Sequence, residues 1–117
     1  MTDFDIGTVT HPWNVTGAIS AVSATTGAAA TKAAATKKAH AITHFSGSAS
    51  IAALFTIESP SGTTLWQKRL SAAGAISECF DPPLMVDAAN QAVVLRAAGA
   101  ATMTAEVNGV GVSVTSG

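Results

Sequence analysis

His40 and His44 are the first candidates for chemistry in this sequence, because imidazole nitrogens are common metal ligands. A spacing of four residues would place both rings on one face of a helix. On a strand the two side chains would share a side but lie about 13 Å apart, too far to chelate one ion. The residues between them, Ala41-Ile42-Thr43, include no glutamate. We therefore expect no bound metal, and we expect these histidines to face solvent or an interface.

Five scattered carboxylates are candidates for a general acid–base pair. They are Glu58, Glu78, Asp81, Asp87 and Glu106. Their spacing is compatible with a glycosidase pair, but active sites usually collect more polar and aromatic side chains than this sequence offers. The sequence also contains neither a glycine-rich phosphate loop nor a Gly-x-Ser-x-Gly nucleophile elbow. We therefore expect no catalytic residues, no cofactor and no enzymatic activity.

Cys79 is the single cysteine of the 117-residue chain, so it cannot form an intrachain disulfide. A cysteine nucleophile needs a nearby general base, and the sequence identifies none. We expect Cys79 to be a small buried apolar residue. Tyrosine is absent and tryptophan is scarce, which argues against the aromatic surfaces that bind sugars or stack nucleic-acid bases.

The charge pattern narrows the class of partner. The formal net charge is −1 and 11% of the residues are charged, whereas a nucleic-acid binder shows a clustered basic excess. Only Lys32, Lys37 and Lys38 lie close together in the sequence. The scarcity of charge has two interpretations: partners cover much of the surface, or the exposed strands are rich in alanine and threonine. We expect no nucleic-acid partner.

The first residues, MTDFDIG, are acidic and lack the apolar region of a secretory signal. No apolar run approaches the roughly 20 residues that span a bilayer. We therefore expect a protein that is made in the cytoplasm, is not secreted and has no membrane partner.

The stretch from Ser50 to Leu70 predicts a β-hairpin around which the fold is organised. Its first half has a period of two, which is typical of a strand with one apolar face. The apolar positions are Ile51, Ala53, Phe55 and Ile57. Ser59-Pro60-Ser61-Gly62 supplies turn residues, and a second β-type run follows. We expect much of the large buried apolar area to belong to Phe55, Ile57, Leu65 and Trp66.

Residues 1–27 differ from the rest, because a few large apolar residues are spaced among threonine, glycine and aspartate. They form either an edge strand around Asn14–Val22 that docks on its own sheet, or an N-terminal arm that docks on a neighbouring subunit. The interface residues that we expect here are Phe4, Ile6, Trp13 and Val15. Residues 28–117 are expected to form a single β-sandwich domain.

Residues 28–41 pose a conflict, because alanine and lysine are good helix formers and the segment repeats AAATK. A helix here would have almost no large apolar stripe to bury, and such a helix is marginal in water. Thr31 and Thr36 also favour a strand. We expect two short strands with a turn near Thr36–Lys38, with a helix as the alternative.

The rest of the chain alternates β-type runs with turn signals about every 8–12 residues, which is typical of a sandwich or jelly roll. We expect Asp81-Pro82-Pro83 to end one strand and Leu84-Met85-Val86 to be a packed loop. A turn or bulge at Asn108-Gly109 then precedes a last alternation at Val110, Val112 and Val114. The sequence therefore predicts an all-β protein, a single antiparallel β-sandwich or jelly roll of seven or eight short strands with an N-terminal arm.

Five blocks, covering about residues 28–115, together form a pattern of strand and turn types. They are ATKAAATKKAHAITHFSGSAS, the hairpin with SGTTLW, ISECFDPPLMV, AVVLRAAG and EVNGVGVSV. Their order resembles small virion proteins of tailed bacteriophages, especially capsid decoration (cement) and head-fibre proteins. The resemblance implies a β-sandwich or jelly-roll fold and a trimer, with no cofactor and no catalytic residues. Residues 1–27 lie outside it.

We therefore expect a structural virion protein, foremost a capsid decoration protein that stabilises the phage head surface through repeated weak contacts. A core of small side chains makes a monomer only moderately stable, so we expect a homo-oligomer, with a trimer favoured. Its partner would be the major capsid protein or another virion protein, and its location the surface of the virion head. The alternative is a receptor- or carbohydrate-binding module of a phage tail or head fibre.

Overall fold

Alternation of small apolar and polar residues produces strands along the described parts of this chain. The computed structural model describes residues 10–22, 28–59, 62–86, 89–99 and 103–115. Within these ranges the protein has eight strands and no helix. The strands are β1 (Thr10–Val22), β2 (Ala28–Lys32), β3 (Lys38–Ala49), β4 (Ala53–Glu58), β5 (Thr64–Leu70), β6 (Gly74–Met85), β7 (Val93–Gly99) and β8 (Met103–Thr115).

The strands form two antiparallel four-stranded sheets that pack against each other. The first sheet has the strand order β1-β8-β3-β6, and the second has the order β2-β7-β4-β5. Consecutive strands belong to different sheets except for the hairpin β4–β5. Each sheet therefore buries one face against the other, and the prediction of an all-β antiparallel sandwich is confirmed.

Four aromatic rings link the sheets in the interior. Phe45 of β3 and Phe55 of β4 are fully buried, and their ring centroids are 6.1 Å apart in an edge-to-face arrangement. The ring of Trp66 in β5 lies 5.7 Å from that of Phe45 and 5.5 Å from that of Phe80 in β6. Because the four rings come from four strands, they join both sheets at the side of the sandwich where β5 and β6 lie.

The predicted hairpin is confirmed, since β4 and β5 pair along their length. Phe55 and Ile57 are fully buried, as expected. Leu65 is 37% exposed, so its predicted place in the core is wrong. The register explains the difference: Ile57 is the partner of Trp66, which takes the inward position, and the preceding Leu65 faces outward.

The prediction of strands rather than a helix in residues 28–41 is confirmed. β2 ends at Lys32, a turn lies at 36–37, and β3 begins at Lys38. Ala28 and Ala30 are buried and Ala29 is exposed, so small residues are enough for the inner face of a strand. A helix of the same composition would have had no comparable face to bury.

β6 contradicts the expectation that Asp81-Pro82-Pro83 ends its strand and that Leu84-Met85-Val86 is a loop. The strand continues through the prolines to Met85. Cys79, on the same strand, is exposed rather than buried as expected. Ile76 and Phe80 take the inward positions of this stretch and pack on the core, so the side chain between them at position 79 points outward.

A bulge accommodates the two prolines. His44 of β3 pairs with Cys79, and Ile42 pairs with Leu84, so four residues of β6 lie opposite the single residue Thr43. The bulge takes these positions out of the ladder, and β6 is an edge strand of its sheet. The missing proline N–H groups therefore interrupt no central pairing.

β8 runs without a break through Asn108-Gly109, so the expected turn or bulge there is wrong. Gly109 is needed for packing and not for a turn. A Cβ atom at this position would lie 2.6 Å from Cδ2 of Leu95, a fully buried residue of β7. The absent side chain leaves room for the leucine between the sheets.

Residues 10–22 form an edge strand of the first sheet. β1 pairs with β8 from Thr10, opposite Val114, to Val22, opposite Met103. The strand begins four residues earlier than the edge strand that the sequence predicts. Residues 1–9, with Phe4 and Ile6, and residues 23–27 lie outside the described residues.

Candidate functional site

Glu58, a buried carboxylate, lies on the outer face of the second sheet. Its Oε2 accepts hydrogen bonds from Thr56 Oγ1 at 3.0 Å and Arg96 Nε at 3.2 Å, and its Oε1 accepts one from Gly62 N at 2.8 Å. Burial alone would raise the pKa of Glu58, but the bonds from Gly62 and Thr56 and the charge of Arg96 together lower it. Glu58 is therefore held ionised at the β4–β5 loop, which suits an anchor and not a general acid.

The other described carboxylates are not gathered around Glu58. Glu78 of β6 forms a salt bridge of 2.7 Å with Lys68 of β5, at the side of the sandwich. Asp81 is exposed in the β6 bulge, and Glu106 is exposed on the outer face of the first sheet. Because Glu58 and Glu106 lie on opposite outer faces of the sandwich, these two cannot act on one substrate.

The two histidines lie on opposite sides of β3, so the expectation that they share a side is wrong. His40 is fully buried, so the expected solvent or interface position is wrong for it, and His44 is exposed. The register shifts between Ile42 and His44, and this bulge changes the inward positions from even to odd residue numbers. No group of three or more His, Cys, Asp or Glu side chains in the described ranges could hold a metal ion.

His40 joins three elements in the interior. Its Nε2 lies 2.9 Å from the carbonyl oxygen of Ala33, which can only accept, so Nε2–H donates this bond. Its Nδ1 therefore accepts the 2.6 Å hydrogen bond from Ser113 Oγ of β8. The indole ring of Trp13 in β1 meets the imidazole edge to face, with centroids 5.9 Å apart. Each of these contacts suits the neutral ring.

Acidification is expected to destabilise the protein through His40. Burial has the largest effect on the pKa of His40 and lowers it. The hydrogen bond to Ala33 raises this pKa, and the charges of Lys32 and Lys38 lower it further. The net result is a pKa below the usual 6.5. The unfolded chain binds the proton at His40 more readily than the folded protein does. The stability that depends on a neutral His40 is therefore complete above pH 6.5. It is lost as the pH falls from there toward the folded-state pKa, by up to about 1.4 kcal/mol per pH unit.

Urea unfolding at pH 7.5 and pH 5.0 measures this loss for the wild type and for His40→Gln. We expect His40→Gln to be less stable than the wild type at pH 7.5. Its free energy of unfolding should also differ much less between pH 7.5 and pH 5.0. His44→Gln, a change at an exposed position of the same strand, is the matched control and should keep the difference. An undiminished pH dependence in His40→Gln would contradict the assignment.

The four predicted interface residues have separate locations. Trp13 is 8% exposed and belongs to the protein's own core, with its indole N–H unpaired among the described atoms. Val15 is partly buried and packs against that core. Phe4 and Ile6 lie outside the described residues, so their expected interface role stays a prediction. The Trp13 ring is thus occupied within one chain and is not a free docking residue.

The outer face of the first sheet carries an apolar patch that the sequence reasoning did not identify. β8 points Gly109, Gly111 and Ser113 inward, and Val110, Val112 and Val114 outward, at intermediate exposure. Pro12 is exposed, and Met85 is 49% exposed. We call this patch the apolar half-face, and its residues are Pro12, Ala39, Met85, Val110, Val112 and Val114. The alternation of the valines was visible in the sequence, but the side on which they lie was not.

Bulky neighbours fill the space above the inward glycines of β8, and this explains the outward valines. Leu95 of β7 occupies the position that a side chain at Gly109 would need. The Trp13 ring and the carbonyl of Ala41 occupy the position at Gly111. Because the interior beside Gly109 and Gly111 is already filled from β1 and β7, Val110, Val112 and Val114 lie on the outer face, whereas Met103, Ala105 and Val107 of the same strand are buried.

The other half of the same outer face is polar. Its exposed and half-exposed residues are Thr16, Ser46, Ser48, Ser77, Glu106 and Asn108. The Thr16 hydroxyl donates a 2.7 Å hydrogen bond to Asn108 Oδ1, between β1 and β8. The polar half has the hydroxyl and amide groups that water satisfies. Polar groups also flank Val110, because its partners Asn14 and His44 are exposed on the same face. The row of Val112 is apolar throughout, with Pro12, Ala41 and Met85 as its members.

Basic residues lie at the end of the sandwich next to the apolar half-face. Lys38 is the first residue of β3 and precedes Ala39, and Lys37 is exposed in the turn before it. Lys32 ends β2, and its charge and that of Lys38 both reach His40. These three lysines are half of the six basic residues of the chain, so this end is the more basic one.

The described geometry offers a contact surface and no arrangement of a nucleophile, base and acid around one point. Asp87, the remaining carboxylate candidate, lies outside the described residues. No helix in the described ranges is long and apolar enough to cross a bilayer. No protein-family model matches the sequence, and the search of curated proteins found no relative.

Proposed function

We propose that this protein is a structural component of a bacteriophage particle, a capsid decoration protein that acts in assembled form on the head surface. One observation carries the proposal: the apolar half-face, formed where β8 turns Val110, Val112 and Val114 outward. A contiguous apolar patch, on a chain of which only 11% of the residues are charged, is typical of a surface that a partner covers.

Symmetry gives such a surface its function. A contact of one copy with the shell is weak, but copies joined through their apolar half-faces bind a regular shell with an avidity that no single contact supplies. A homo-oligomer, with a trimer favoured, would present several such contacts together. The partner is then the major capsid protein or another virion protein, at the head surface.

The strand order supports the finer prediction of a jelly roll. An eight-stranded jelly roll consists of two four-stranded sheets whose strands cross between the sheets. The orders β1-β8-β3-β6 and β2-β7-β4-β5 have this connectivity, with β4–β5 as the hairpin within one sheet. Jelly rolls occur in viral capsid proteins, so the connectivity agrees with the proposed role as an analogy of fold.

Co-sedimentation with expanded capsids of the phage that encodes the chain tests the proposal. We expect the wild type to pellet with the capsids in a saturable manner. Val112→Asp, which places a charge in the apolar half-face, should weaken the apparent affinity at least about tenfold, because copies that no longer assemble lose the avidity of repeated contacts. Ser46→Asp, the same charge on the polar half, is the matched control. Wild-type protein that does not co-sediment with capsids would contradict the proposal.

The second candidate is a receptor- or carbohydrate-binding module of a tail or head fibre. The polar half of the outer face favours it, since hydroxyl and amide groups can bind sugar hydroxyls. Both tryptophans, however, pack against the core and offer no open ring for a sugar. Saturable binding on a glycan array, lost in Asn108→Ala, would favour this candidate over a decoration protein.

A further inference from the structure

We propose that the apolar half-face of one copy is the docking site for residues 1–9 of a second copy of the chain. The inference rests on the proposed function, which requires copies to assemble, and it names the partner that covers this face. The described residues supply the receiving surface, with Met85 at 49% exposure and Val112 across the intervening Ala41 of β3. Contacts among copies then bury it.

The chemistry of residues 1–9 matches that surface. Phe4 and Ile6 alternate with Asp3 and Asp5, so an extended segment would have one apolar and one acidic side. The apolar side fits the valine and methionine side chains of the half-face. The acidic side carries two negative charges into a region where the chain concentrates positive charge.

The lysines lie at the end of the sandwich that adjoins the apolar half-face. Lys38 begins β3 directly before Ala39, a residue of the half-face, and the exposed Lys37 precedes it. Lys32 is the third lysine at this end, as its effect on the pKa of His40 shows. The apolar patch and the basic end are therefore adjacent, as the acidic and apolar positions are in residues 1–9.

The direction of β1 favours a second copy over the same chain. Thr10 pairs with Val114 at the border of the apolar half-face, and the sheet extends beyond this row only by Lys38 and Thr115. β1 thus begins at the end of its own sheet. A preceding segment that kept the direction of β1 would lead away from its own face and could dock there only after a reversal. About 30 Å of extended chain is enough to cross the roughly 14 Å width of a neighbour's four-stranded face. An exchange of this head-to-tail kind can close into a ring such as a trimer.

A mixing experiment separates this arrangement from the alternatives. One full-length variant, Phe4→Ser with Ile6→Ser, has a defective segment and an intact face. The other, Met85→Asp, has an intact segment and a charged face at an exposed edge-strand position. By light scattering with mass determination, we expect the wild type to be oligomeric and each variant alone to be monomeric. Their equimolar mixture should form a 1:1 complex, because it contains one intact segment and one intact face.

Charge exchange gives a second measurement. Lys37→Glu with Lys38→Glu should weaken association at least about tenfold, and adding Asp3→Lys with Asp5→Lys should restore it. Ser46→Asp, on the polar half, is the control and should leave association unchanged. Circular dichroism verifies the folding of each variant.

Three results would overturn the inference: a monomeric wild type, variants that associate as the wild type does, or a mixture that stays monomeric while the wild type is oligomeric. The last result would indicate docking within one chain or on another surface. Capsid co-sedimentation is measured separately, so a failure of this inference is distinguishable from a failure of the proposed function.

Discussion

Replacing Phe55 with alanine is expected to lower the free energy of unfolding by about 3–5 kcal/mol. Phe55 is fully buried on β4, and its ring meets that of Phe45 edge to face at 6.1 Å between centroids. The variant loses the transfer free energy of a phenyl ring and leaves a cavity between the sheets. The ring of Phe45 packs in turn against Trp66, so the rings that border this space are held by their own neighbours and can fill it only in part.

The control for this measurement is Leu65→Ala in the partner strand of the same hairpin. Leu65 is 37% exposed, and its truncation should change the free energy by about 0.5 kcal/mol. Urea unfolding followed by tryptophan fluorescence compares the two variants. Because a domain of this size has only about 5–15 kcal/mol of net stability, Phe55→Ala is expected to lose a large share of it. Equal effects of the two substitutions would contradict the described orientation of the hairpin.

Local periodicity was sufficient to predict the hairpin and the strands of residues 28–41. In β4 the period of two around Phe55 coincides with the buried side. In β2 the inward residues Ala28 and Ala30 are small, but the absence of any helical apolar stripe was enough to favour strands. These predictions succeeded because each depends on residues within one strand and its nearest turn.

The predictions that failed depend on pairing between distant strands. The bulge that places four residues of β6 opposite Thr43 lets the prolines stay in an edge strand. Thr43 is also the one extra residue of β3 in its pairing with β8, and this puts His40 and His44 on opposite sides. A register shift cannot be read from one strand, because it is defined by its partner. The side on which Val110, Val112 and Val114 lie also depends on other strands, since Leu95 and Trp13 fill the space above Gly109 and Gly111.

The candidate surface was therefore less predictable than the fold. The sequence showed that Val110, Val112 and Val114 alternate, but alternation does not tell which side is buried. The sequence predicted Trp13 at an interface because a tryptophan is rarely exposed to water. In the structure Trp13 is buried in the core of its own chain. Exposure of a patch is a property of packing, so it becomes visible only when both sheets are in place.

Gly111→Ala is expected to lower the free energy of unfolding by about 3 kcal/mol, the upper part of the range for overpacked cores. A Cβ atom at this position would overlap the carbonyl oxygen of Ala41 on β3 and lie 2.5 Å from Cζ2 of Trp13 on β1. A carbonyl within a paired strand cannot move without breaking the ladder, and the Trp13 ring is held against His40. The added methyl group therefore strains the first sheet at the junction of three strands.

Gly74→Ala is the matched control, because the same methyl group at the start of β6 would meet its nearest atoms at 3.7 and 3.9 Å, in ordinary contact. Its effect should stay within about 0.5 kcal/mol. Urea unfolding monitored by circular dichroism compares the two variants under identical conditions. If Gly111→Ala were as stable as Gly74→Ala, the indole ring could not lie over β8 as described. Trp13 would then be free for the interface role that the sequence suggested, and the outward position of the β8 valines would lose its physical cause.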